Sequence, residues 1–173
     1  MKAARDQKAG GDRKHGPWRG ARTPLRWALG ALIAALVVLL AMQAVPYGRN
    51  HSNPQTRVEP AWDSVQTQQL VRRACYDCHS NETVWPWYAS IAPTSWLLQR
   101  SVDGGRSALN FSEWARPQDE AGEAAETVQE GEMPPWRYTI LHPEAVLSSD
   151  EKQALIKGLE TTLGPGESGD DTD

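Results

Sequence analysis

Cys75-Tyr76-Asp77-Cys78-His79 is the stretch of this 173-residue chain whose spacing dictates a chemistry. It is a C-x-x-C-H, the pattern of a c-type haem attachment site. Two thiols one helical turn apart reach the two vinyl groups on one edge of a porphyrin and form thioethers. The adjacent His79 is then delivered to one face of the iron as the proximal ligand. Other readings of the pattern fare worse. A disulfide between Cys75 and Cys78 would staple almost nothing. A thioredoxin-like dithiol expects a βαβ context, and no strand pattern flanks the motif. Structural zinc takes four ligands, while the chain has two Cys and, beyond residue 45, only His51, His79 and His142.

Working outward, the residues before the motif supply a helix. Asp63 or Ser64 is a good N-cap, and Val65, Leu70, Val71 and Ala74 make an apolar stripe. Further on, Ser148 with Glu151 forms a capping box ahead of Leu155, Ile156, Leu159 and Leu163, and Gly164-Pro165 stops that helix. Such a terminal helix is expected to pack across the haem-bearing one. Residues 118–130 (QDEAGEAAETVQE) read as another helix, with a thin Ala/Val face and an acidic exterior. The expected fold is all-α: a small cytochrome c-like helical domain around one covalently bound haem.

A second axial ligand is sought among few candidates. Met1 starts the chain and Met42 lies in an apolar run, which leaves Met133 in Glu130-Gly131-Glu132-Met133-Pro134-Pro135-Trp136. Paired prolines stiffen that loop and remove backbone donors, so a thioether there is held at a fixed place. His142, before Pro143, is the runner-up, and His51 is weaker. Of Trp85, Trp87, Trp96, Trp114 and Trp136, Trp96 and Trp136 are the expected haem neighbours and most are ordinary core; Arg106 and Arg137 are candidates for the propionates.

The net charge of −4 is an average over unlike pieces. Residues 1–26 hold eight basic side chains and two acids, +6, leaving ten basic and twenty acidic residues, −10, for the remainder. Between Trp27 and Gly48 no residue is charged. Trp27–Val45 would make about 28 Å of helix, the thickness of a bilayer core. A cleaved signal peptide competes with an anchor, but Met42 stands where cleavage after Ala44 wants a small residue. The expected organisation is a basic cytoplasmic tail (1–24), a transmembrane anchor (25–45), a Pro-containing linker (46–60), the haem domain (61–163) and a disordered acidic tail (164–173). Basic residues before the span keep the N-terminus cytoplasmic and place the haem domain on the periplasmic, outer side of a bacterial inner membrane. Topogenic charge accounts for the tail, so no nucleic-acid partner is expected.

The same residues carry a resemblance. Residues 46–163 resemble the small bacterial haem-binding domain family, a membrane-anchored branch related to single-haem cytochromes c. The matching stretches are Cys75–Trp87 (CYDCHSNETVWPW), Ile91–Trp96 (IAPTSW), Leu109–Trp114 (LNFSEW), Gly131–Trp136 (GEMPPW) and Leu147–Leu159. The resemblance implies that Cys75 and Cys78 hold the haem, that His79 is proximal and that Met133 is distal. His/Met ligation fills both axial sites and raises the reduction potential. The expected function is one-electron transfer with a membrane oxidoreductase or a soluble redox carrier. A haem sensor, a peroxidase-like enzyme or a haem subunit of a larger complex stands as the alternative.

Overall fold

The computed structural model describes residues 23–164. Nearly all of both expected tails lies outside that range. The chain forms two compact units that divide after Ala41.

The described part of the first unit is helix α1 (Thr23–Met42), whose last residue falls in the second. Its residues Pro24–Met42 are long and apolar enough to cross a membrane, and none is buried within the protein. A helix apolar on every side has no inward face to offer a soluble core.

The second unit is all-helical: α2 (Val65–Ala74), α3 (Tyr76–His79), α4 (Thr94–Ala108), α5 (Ala124–Glu130), α6 (Trp136–Thr139) and α7 (Ser149–Leu163), with 3₁₀ turns at Trp87–Ser90 and Pro143–Ala145. Among the described residues the only β pairing is a single bridge between Val58 and Glu113. Ser64 caps α2 through its side chain, which accepts from the Thr67 N–H. Ser148 and Glu151 form the full reciprocal capping box at the start of α7.

The core joins Leu70 and Val71 of α2, Tyr76 of α3, Phe111, Val128 of α5, and Leu155, Ile156 and Leu159 of α7. Thus α7 packs across α2 and α5. At the α2 crossing a Cβ on Gly158 would meet the Thr67 side chain at 2.1 Å, so only glycine permits that approach.

Two stretches differ from expectation. The helix read over 118–130 starts only at Ala124. Gln118 is held elsewhere: its side chain accepts from the Asn110 N–H and donates to the Glu113 carbonyl. The stretch 46–60 lies along the domain instead of hanging free. Two backbone hydrogen bonds tie it down: Arg57 N donates to the Ser112 carbonyl and Trp114 N to the Val58 carbonyl. Asn53 donates to Thr83, and His51 stacks on Trp85 at 4.9 Å. A stretch without apolar period can still pack when its polar groups find partners.

Candidate functional site

The loop after α4 forms the cradle of the C-x-x-C-H turn. The Phe111 N–H donates to the His79 carbonyl at 2.8 Å. Asn110 donates to Asn81, and the Asn81 N–H donates to the Ser112 hydroxyl. Ser80, Asn81, Asn110 and Ser112 are all buried, yet each has a partner, so the polar network stiffens the turn at no cost in unpaired groups. The Leu109 carbonyl lies 3.0 Å from His79 Nδ1. A carbonyl only accepts, so Nδ1 carries the proton and Nε2 keeps its lone pair. Burial lowers the pKa of His79, against weaker upward pulls from the Leu109 and Gly105 carbonyls and from Glu120. The imidazole is therefore neutral at pH 7 and fit to bind a metal.

Cys75 and Cys78 are free thiols, half-buried. Burial, with a smaller push from Cys78, raises Cys75 to about 12. Burial and Asp77 raise Cys78 to about 11, against pulls from Arg106 and Arg137. A redox dithiol or a thiolate metal site needs the opposite, a stabilised thiolate. Nor do the described residues hold any cluster of three His, Cys, Asp or Glu side chains placed to bind a metal ion by themselves.

These groups open on one cavity of about 260 Å³ with a side toward solvent. Its walls include Cys75, Cys78 and His79, the face Ser101–Gly104–Gly105–Ala108 of α4, Val128 of α5, and Met133 with Pro134 and Pro135. Gly131 ends α5 at φ +82, a conformation glycine adopts without strain. The chain then turns back, and the N–H groups of Glu132 and Met133 both donate to the Thr127 carbonyl, at 3.0 and 3.1 Å. That turn carries Met133 to the cavity wall. From the next helix Tyr138 donates to Asp77 at 2.7 Å, tying the methionine loop to the C-x-x-C-H turn.

The haem-binding domain family matches residues 37–161, well over half of the chain. The chain belongs to this family. No curated protein and no solved structure matches it.

The cavity of this haem-binding domain fits a flat tetrapyrrole on its own terms. One wall of α4 is built from side chains no larger than Ser or Ala, and a Cβ on Gly104 would meet nothing within 4 Å. Gly105 serves the other direction: a Cβ there would strike the Cys78 carbonyl at 2.5 Å. One helix thus lies against the C-x-x-C-H turn and leaves a smooth face beside it. The periodic small residues of α4 were legible as a signal, but sequence reading assigned that helix no role.

Several expected neighbours lie elsewhere. None of the described tryptophans lines the cavity. Trp136 is 73% exposed, Trp62 packs on Phe111, and Trp96 sits half-buried outside the cavity. Bulky indoles would fill the space that small residues leave open. Arg106 clamps the stretch 46–60 to the domain: it donates to the Ser80 and Ser52 carbonyls, Asn53 and Thr83. Arg137 does line the cavity. His142 does not; its Nδ1 meets Glu144 at 3.2 Å, its Nε2 meets Tyr88 at 3.4 Å, and its ring stacks on Tyr138. His51 is likewise engaged, with Nε2 at 3.1 Å from the Ala89 carbonyl.

Proposed function

We propose that this haem-binding domain is a membrane-anchored c-type cytochrome that carries single electrons. One haem c is bound through thioethers to Cys75 and Cys78, with His79 as proximal and Met133 as distal ligand. The observation that carries the reading is that these four side chains line one cavity. Bound haem supplies a one-electron couple, and His/Met ligation leaves no open coordination position.

The chain's own residues hold the parts. Leu109 fixes the His79 tautomer, and Phe111 packs on the same imidazole with ring centroids 6.4 Å apart. The high thiol pKa values keep Cys75 and Cys78 protonated until they are alkylated. The Thr127 carbonyl and the paired prolines fix the backbone of Met133. Arg137, on the cavity wall, would offer a cation to a haem propionate. Basic residues before the candidate span α1 support an orientation with the domain on the outer face of a cytoplasmic membrane. Its partners there are a membrane oxidoreductase or a soluble redox carrier.

The test is spectroscopic. Haem should stay with the polypeptide through denaturing electrophoresis and be released from the Cys75→Ala/Cys78→Ala variant. The ferric protein should show the weak red charge-transfer band of methionine ligation, and Met133→Ala should lose it. A high-spin wild type that binds cyanide or peroxide rapidly would replace electron transfer by a sensor or peroxidase-like activity. Noncovalent haem loss from the wild type would refute the c-type assignment.

A further inference from the structure

Helix α6 begins three residues after Met133, and apolar burial does little to hold it. None of the residues Trp136–Thr139 is buried, and Ile140 and Leu141 beyond them are exposed as well. Among the described residues, one side-chain hydrogen bond joins residues 133–141 to the rest of the domain. It runs from the Tyr138 hydroxyl to Asp77 Oδ2 at 2.7 Å. The methionine loop therefore has two fastenings: the Thr127 carbonyl before it and this phenol after it.

Both ends of the bond are held in place. Asp77 lies between Cys75 and Cys78. Its Oδ1 accepts from the Val84 N–H at 2.9 Å, and its carbonyl accepts from the Thr83 hydroxyl at 2.8 Å. The carboxylate is thus part of the C-x-x-C-H turn. The Tyr138 ring stacks on His142 with centroids 4.2 Å apart, and His142 is held in turn by Glu144 and the Tyr88 hydroxyl. Burial, then Asp77, pushes the Tyr138 hydroxyl well above its ordinary pKa, so at neutral pH it is a donor. A bond from a phenol to a carboxylate is charge-assisted and stronger than a neutral one.

We propose that the Tyr138–Asp77 hydrogen bond is a latch that sets how often Met133 leaves the haem iron. It joins the element that carries the proximal ligand to the one that carries the distal ligand. With the bond made, α6 keeps the end of the methionine loop in place. Without it the loop is held at its Thr127 end and swings away, opening the distal position to small ligands. Tyr138 is a positioning residue that acts through Met133. The latch separates a carrier with both axial positions filled from a haem that binds added ligands.

The proposal rests on Met133 being the distal ligand, and one set of measurements reads the two claims separately. The full-length, haem-loaded ferric chain is mixed with imidazole, and the rate at saturating imidazole reports how often the methionine departs. Tyr138→Phe keeps the ring and its stack but lacks the donor. It should retain the red charge-transfer band at rest and raise the limiting rate about tenfold, the weight of one charge-assisted hydrogen bond. Asp77→Asn keeps an acceptor without the charge and should raise the rate by a smaller factor. In the Asp77→Asn chain, Tyr138→Phe should then have less effect than it has alone. Glu151→Gln, at a residue that does not line the cavity, should lower Tm and leave the rate unchanged. A rise in Glu151→Gln equal to that in Tyr138→Phe would overturn the latch, since the rate would then follow overall stability. Equal rates in wild type, Tyr138→Phe and Asp77→Asn, with the band present in all three, overturn the latch and leave methionine ligation standing. Absence of the band from the wild type overturns both.

Discussion

Gly104 and Gly105 are neighbours with opposite tasks, and substitution should separate them. A glycine inside a helix costs about 1 kcal/mol relative to alanine, so two in succession in α4 need a reason. Gly105 has one in the Cys78 carbonyl, which an added Cβ would strike at 2.5 Å. Gly105→Ala should lower stability by about 1–3 kcal/mol through overpacking, read as a drop in Tm. Gly104 faces the cavity and open space. Gly104→Leu should keep the helix, somewhat better formed, but should acquire little haem during maturation. Soret absorbance per mole of folded protein measures this. Full haem loading of Gly104→Leu would show that the smooth face of α4 is not the haem wall.

At the scale of elements, α7 is fixed to α2 by Glu151, which caps its own helix and pairs with Arg73 at 2.6 Å. The Ser148 backbone N–H, then the Arg73 and Ser148 side chains, hold the Glu151 pKa down at about 2. A depressed carboxylate contributes stability above its unfolded pKa of about 4.3, and the contribution disappears as pH falls toward 2. Glu151→Gln should therefore melt at a lower temperature than wild type at pH 7, and the gap should close between about pH 4 and pH 2. A gap unchanged down to pH 2 would place the effect elsewhere. This element was legible because a capping box is written in four consecutive residues; the N-cap of α2 was narrowed to Asp63 or Ser64, and Ser64 fills it. The start of α5 was not, since Gln118 is drawn off by Asn110 and Glu113 across a folded loop. The same limit governs the site. Cys75, Cys78 and His79 declare themselves by spacing, and Met133 by scarcity. The hold of Arg106 on Ser52 and Asn53 and the exclusion of tryptophan from the cavity depend on contacts between residues far apart in sequence.

For the molecule as a whole, the cavity is set against a modest core. The helical domain has little more than a hundred residues, a size at which net stability is about 5–15 kcal/mol. A cavity of about 260 Å³ that opens to solvent leaves apolar walls without the contacts and burial that a ligand would supply. The ligand that fills the space binds the folded state alone and so stabilises it. Haem-free protein, made without a cytochrome c maturation system, should therefore unfold broadly and at much lower temperature. Thermal unfolding followed by circular dichroism, with dye binding to exposed apolar surface, reads both properties. The loss should greatly exceed that of Gly105→Ala, because the latter disturbs one contact and the former removes a wall shared by α3, α4, α5 and the methionine loop. A cooperative haem-free transition at the wild-type temperature would mean that the helices close over the cavity unaided, and that haem is a passenger in a completed fold.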